Sequence, residues 1–241
     1  WLIFRYRRAF FKKLTDGGKV SLIGGFSAAT AFLGYLVALE FTSVANAMLL
    51  LATAPFFALI LGSIVLSETI TKPMLGAMMI AAIGVAIMAG DEISLGRGFG
   101  EVFAILSALG FAGLTVSLRA IKGQDNIFII LIATIIATIY ASVGLVLSDL
   151  TFKVLLVDLL NCFTMGWFQL GIGFVLYTAG AKYLKSGELT LLSMTEVIAG
   201  PIIVWVVISE VPANSTLIGA GFILASIIAT SMIKLNNSDI V

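Results

Sequence analysis

YLVALEFTSVANAMLLLATAPFFALILGSIVLSE (Tyr35–Glu68) and YTAGAKYLKSGELTLLSMTEVIAGPIIVWVVISE (Tyr177–Glu210) are equal in length and stand 142 positions apart. Each opens on a tyrosine, passes a short polar link, runs on as a long apolar stretch and closes on Ser-Glu. A Gly-Ala pair follows each, Gly76-Ala77 and Gly219-Ala220, so one residue has been gained on the way. Such self-similarity at long range marks a chain built from two related halves.

The composition says where those halves sit. Of 241 residues, 60% are hydrophobic and 11% charged, and the mean hydropathy is +1.14. A soluble domain carries about 25% charged residues. The 14 basic and 13 acidic side chains present here could not cover a water-facing surface. The chain therefore reads as an all-α integral membrane protein. The net charge of +1 gives no footprint for nucleic acid. One cysteine, Cys162, excludes an intrachain disulfide and a CxxC metal site. The absence of histidine removes His-based triads, His-ligated zinc or haem, and the usual neutral-pH proton shuttle. No cofactor and no metal are expected.

A membrane helix needs about 20 apolar residues. Eight runs are read as spans: Val20–Leu39, Ala45–Leu66, Met74–Ala89, Gly100–Leu118, Ile127–Leu147, Leu159–Ala181, Leu189–Ser209 and Thr216–Ile233. RYRRAFFKK near the start reads as the stub of a helix ending in a basic loop. With that loop in the cytoplasm and each span crossing once, 12 of the 14 basic residues fall inside; only Arg97 and Lys153 fall outside. This positive-inside bias puts the C-terminus in the cytoplasm. It also puts Glu68 inside and Glu210 outside, so the two copies run with opposite topology. Inverted repeats are an architecture of secondary transporters. Residues 1–96 form the first, incomplete repeat and 97–241 the second. The second half owns five spans and the first shows three and the stub. The expectation is a ten-helix parent with roughly 40 further residues upstream on the repeat arithmetic.

Ten helices in two inverted five-helix repeats resemble the drug/metabolite transporter superfamily in its EamA-like branch. The residues that carry the resemblance are ALEFTSVANAMLLLATAPFFALILGSIVLSE in the first half and GWFQLGIGFVLYTAGAKYLKSGELTLLSMTEVIAGPIIVWVVISEVP in the second. The order of link, mid-helix acid or proline, helix-end Glu and following Gly-Ala is similar to that branch. The resemblance implies a permease for small metabolites, such as amino acids or related solutes, working by alternating access. The expected setting is the cell membrane, with a bacterial inner membrane favoured.

Glu196 is the one charge well inside a predicted span. It lies three residues from Ala199, the centre of Leu189–Ser209, or about 4.5 Å along the axis. An acid at such depth costs about 2.5–3.5 kcal/mol on insertion scales. It is tolerated if it faces a wet cavity, pairs with a cation or holds a proton. A substrate or proton-coupling site is the favoured reading; the alternative is a structural hydrogen bond between helices. The resemblance implies the same role, a glutamate at this point being frequent in the branch.

Gln169 can donate and accept, so it can read a polar solute. Gln169, Gly173 and Tyr177 recur every four residues and share one α-helical face. Trp167 and Tyr177 are candidates for the same cavity; Phe168 or Trp167 reads equally as a lipid-facing belt residue. Tyr35, the repeat mate of Tyr177, stands with it. Pro55 and Pro201 are read as kinks whose freed carbonyls line the pathway, or as tolerated kinks. Asn46 reads as a helix cap. Glu68 and Glu210 read as residues of the membrane interface. Lys182 and Lys185 satisfy the charge rule alone. Ala82, Ala86 and Gly90, with Gly221, Ala225 and Ala229, allow close packing of the last helix of each repeat.

The partners expected are a small-molecule substrate and membrane lipid, with no nucleic acid. Proton or ion coupling and the oligomeric state stay open. The competing reading is an intramembrane enzyme on a lipid-soluble substrate. Against it stand the missing histidine, the lack of paired intramembrane carboxylates and the lack of a Cys or Ser nucleophile with a base. No GxxxxGK[ST] loop is present to drive a pump with ATP.

Overall fold

A computed structural model describes residues 17–89, 98–121, 127–147, 154–209 and 213–238. The described residues form helices and turns, with no strand among them. In chain order the helices are α1 (Gly18–Phe41), α2 (Val44–Leu51), α3 (Ala54–Leu66), α4 (Lys72–Ala89), α5 (Phe99–Ala120) and α6 (Ile127–Leu147). Next come α7 (Leu156–Thr164), a π-helical segment (Met165–Ile172) and α8 (Gly173–Gly180). Then follow α9 (Ser186–Ser193), α10 (Thr195–Ile208) and α11 (Asn214–Ser238). Among the described residues, five stretches are long and apolar enough to cross a membrane: Gly18–Phe41, Asn46–Leu66, Phe99–Ala120, Ile127–Val146 and Leu156–Gly180. Lys72–Met88 and Asn214–Thr230 are shorter apolar helices.

α1 packs along α5 and α6, and α4 along α11. Small residues explain the first pairing. α1 buries Gly24, Ala28, Ala31, Gly34 and Ala38. α5 meets that face so closely that a Cβ on Gly110 would lie 2.6 Å from the Ser27 carbonyl oxygen. Ser107 Oγ donates across the contact to the Ala31 carbonyl at 2.7 Å. Between apolar helices in lipid, close backbone approach and interhelical hydrogen bonds are what hold the pair.

The α4–α11 pairing uses other small residues than the spacing indicated. Ala77, Ala81 and Val85 of α4 form one core with Ile223 of α11 and with Leu191, Met194 and Ile198. Gly221 and Ala225 are exposed, and Gly90 lies outside the described residues.

Glu68, at the end of α3, is not a free surface acid: its side chain is 7% exposed and pairs with Arg119. Asn46 is not the cap either: Ser43 precedes α2 and its hydroxyl accepts from the Asn46 N–H at 3.2 Å. Asn46 is buried, and its side-chain amide donates to Thr42 Oγ1 at 3.2 Å. Glu210 lies outside the described residues.

Local backbone conformation recurs at the offset of 142. Ser43 (φ −70°, ψ 152°) is matched by Lys185 (φ −68°, ψ 158°). Ala52 (φ −63°, ψ −8°) is matched by Met194 (φ −64°, ψ −7°). Ser67 (φ 55°) and Ser209 (φ 61°) are the non-glycine residues in the left-handed region among those described. The α2–α3 and α9–α10 pairs thus share one broken-helix backbone pattern.

Candidate functional site

Each break has a local cause. At the first, Pro55 lacks the N–H that would bond to the carbonyl of Leu51, and Thr53 Oγ1 donates to the Leu50 carbonyl at 2.6 Å. At the second no proline is needed. Ser193 Oγ donates to the Thr190 carbonyl at 2.7 Å and Thr195 Oγ1 to the Leu192 carbonyl at 2.9 Å. Such back-bonding competes with the helical ladder and bends it. The ladder tightens there: Met194 N–H donates to the Leu191 carbonyl and Val197 N–H to the Met194 carbonyl, each at 3.1 Å. Met194 itself is buried in the α4–α11 core, which anchors the break.

Glu196 lies in the first turn of α10, immediately past this break, and its side chain is exposed. The N-terminal turn of a helix carries partial positive charge and favours an anion. A carboxylate within an apolar helix therefore has one source of support built into its own backbone. It lies within electrostatic range of both Tyr35 and Tyr177.

Tyr177 is held by two aromatic rings. Phe111 of α5 lies 5.4 Å from it between centroids and Phe174 lies 6.4 Å away. Phe174 in turn meets Phe32 of α1 edge-on at 5.0 Å. The Tyr177 hydroxyl lies 2.7 Å from Thr115 Oγ1, which also bonds the Phe111 carbonyl at 2.9 Å. A threonine hydroxyl has one proton. With that proton on the Phe111 carbonyl, Tyr177 O–H is the donor to Thr115. Its lone pairs are left to accept from something else. Thr115 is fully buried. Its position in LTVSLRA carried no signal of this role, because a threonine in a membrane helix usually bonds only its own backbone. Tyr35 packs on the Ala38, Ala47 and Ala104 core, between α1, α2 and α5.

Gln169 and Trp167 lie on the segment Met165–Ile172. Both are exposed on the π-helical segment, and neither hydrogen-bonds to Glu196, Tyr35 or Tyr177. Trp167 stacks on Phe163 at 5.9 Å and meets Phe168 at 6.4 Å. A four-residue recurrence places Gln169, Gly173 and Tyr177 on one face only in a plain α-helix. The segment's bonds instead run to the fifth residue, so four residues no longer complete a turn, and Gln169 is displaced from the line through Gly173 and Tyr177. Gly166 and Gly171 inside the segment weaken the α-helical preference. π segments concentrate at functional sites.

Pro55 is fully buried in the first turn of α3; its missing N–H interrupts a continuous α2–α3 ladder but leaves no bond within α3 itself unmade. Pro201 lies within α10. Its missing N–H leaves the Val197 carbonyl, one turn back toward Glu196, without its helical donor. Among the described residues, no cluster of acidic or thiol side chains could hold a metal ion.

The model of the EamA-like transporter family matches residues 1–90 and 98–232. No curated protein matches the chain. Among solved structures, one titled only "Crystal structure of protein" superposes with a TM-score of 0.72 at 16% identity, covering 89% of this chain and 75% of that one. That likeness speaks for the fold alone.

Proposed function

Because the chain belongs to the EamA-like transporter family, we propose that it is a secondary transporter that moves small polar metabolites by alternating access. Its frame is eight membrane spans in two inverted repeats, 1–96 and 97–241, with the C-terminus in the cytoplasm. The matched backbone angles at positions 142 apart support the repeat. The loop charges support the inversion and the orientation.

The observation that carries the reading is the placement of Glu196. An exposed carboxylate starts the second half of a broken apolar helix and acts electrostatically on Tyr35 and Tyr177. Broken helices supply transporters with polar backbone at the depth where lipid supplies none. Tyr177 offers lone pairs and Glu196 offers carboxylate oxygens, so the group is rich in acceptors. It suits solutes that bring N–H donors, such as amino acids and related amines, or a coupling proton on Glu196. Gln169 and Trp167 belong to the same pathway nearer its outer mouth, on the widened π segment.

Counterflow in proteoliposomes tests this. Vesicles holding the full-length protein and loaded with a panel of small metabolites should exchange an ammonium-bearing solute and ignore its deaminated analogue. Equal exchange of both would overturn the acceptor-rich site, and no exchange across the panel would overturn the transport reading.

A further inference from the structure

Glu68 does something at the end of α3 that neither its family nor its sequence position announces. Ser67 takes a left-handed conformation, and the Glu68 N–H folds back to the Gly62 carbonyl at 3.1 Å. This turn ends the helix and brings the Glu68 side chain back over Gly62. A Cβ at Gly62 would lie 2.7 Å from Glu68 Oε2, so only glycine leaves room for the carboxylate.

Both oxygens of that carboxylate are used across the molecule. Oε1 accepts from Arg119 Nε in the last turn of α5. Oε2 accepts from the backbone N–H of Ser186, the first residue of α9, at 2.9 Å. The same Arg119 donates from Nη1 to the Ala181 carbonyl at 3.1 Å. Beside them Lys185 Nζ donates to Thr69 Oγ1 at 2.8 Å. One carboxylate thus ties the end of α3, in the first half of the chain, to α5 and to the α8–α9 turn in the second.

The surface beneath this contact joins a glycine to methionine side chains. Gly187 lies against the methyl ends of Met74 and Met78; a Cβ there would meet them at 2.5 and 2.6 Å. Leu59, Met74 and Met78 form a small core of their own. A glycine against methionine methyls has no interlocked side chains, and methionine re-packs readily. Ser186 Oγ is buried with no hydrogen-bond partner in this arrangement, a penalty that separation would relieve. The charge reading puts all these loops at the cytoplasmic end.

We propose that Glu68, Arg119 and the Ser186 end of α9 form a latch that closes the cytoplasmic end of the pathway and must open for solute to pass there. The proposal rests on the alternating-access reading, because only then do the two halves separate at one end at a time.

The test places a cysteine at Ala199, an exposed position three residues past Glu196, in full-length protein carrying Cys162→Ser. An impermeant maleimide is applied separately to inside-out and right-side-out membrane vesicles. Glu68→Gln keeps the shape and removes the charge. It should raise labelling from the cytoplasmic side by about tenfold, the shift expected from one charge-assisted hydrogen bond, and lower labelling from the other side. Arg119→Gln should act in the same direction. Unchanged labelling in both variants, in protein that still exchanges solute, would overturn the latch and leave the transport reading intact. Labelling that rises equally from both sides would also overturn it, since that reports loosened structure and not a gate. Absence of solute exchange by the unsubstituted protein would instead strike at the transport reading.

Discussion

The Thr115–Tyr177 contact joins the second-half helices α5 and α8 beside the proposed site, and its worth can be predicted from its hydrogen-bond inventory. Thr115→Val is close to isosteric at a fully buried position. It removes the acceptor of the Tyr177 O–H, 2.7 Å away. In a water-soluble core an orphaned buried donor costs about 1–3 kcal/mol. Between membrane helices the comparable figure is smaller, about 0.6 kcal/mol on average and about 1.7 at most, because the unfolded chain in lipid also finds partners. The smaller range governs here. Tyr177→Phe removes the donor but leaves Thr115 bonded to the Phe111 carbonyl, so it should cost less than Thr115→Val. Once either partner is gone, removing the other should add little. A double-mutant cycle of unfolding in mixed micelles should therefore give a coupling of about 0.6–1.7 kcal/mol. Additivity of the two single changes to within about 0.3 kcal/mol would refute the shared hydrogen bond and the donor assignment built on it.

A Cβ on Gly84 would lie 2.7 Å from the Gly219 carbonyl oxygen and 2.9 Å from Phe222 Cβ. Gly84→Val should therefore force α4 and α11 apart at about 1–3 kcal/mol, read as a lower thermal midpoint in detergent. Gly76→Ala, with nothing within 4 Å of the added atom, should leave that midpoint unchanged or raise it; equal effects of the two would contradict the pairing. Cys162 is exposed near the start of the Leu156–Gly180 stretch, and an impermeant thiol reagent should label it from the non-cytoplasmic face. Labelling only from the cytoplasm would reverse the orientation.

The helices were legible because lipid demands long apolar runs, and composition alone reveals those. α6 is Ile127–Leu147, the same residues as the run read in the sequence. Residue identity at a fixed offset pointed to positions whose backbone angles match, as at Ala52 and Met194, although the two residues differ in kind. Glu196 stood out because a carboxylate in hydrocarbon requires a reason. What the sequence did not reveal are features set by tertiary neighbours. Glu68 looked like any acid at a helix end until the Ser67 turn aimed it at Arg119 and Ser186. Thr115 looked like a spare hydroxyl until Tyr177 came within reach. The π segment is a choice between two ladders that differ by one residue, and the spacing of Gln169, Gly173 and Tyr177 does not decide it. Small residues offered several faces of α4 and α11 for packing, and the buried one carries Ala81, Val85 and Ile223, with Gly84 close against Gly219.

The most direct measurement is solute flux in proteoliposomes holding Glu196→Gln beside the unsubstituted protein, followed across a range of pH. Glutamine keeps the size and hydrogen-bonding reach of the side chain and removes its ability to carry charge or a proton. If Glu196 binds the solute or carries the coupling proton, the variant should fold and insert normally yet lose coupled transport and its pH dependence. Flux at the unsubstituted rate with the same pH dependence would contradict the account, and Glu196 would be a residue that only props one helix against another.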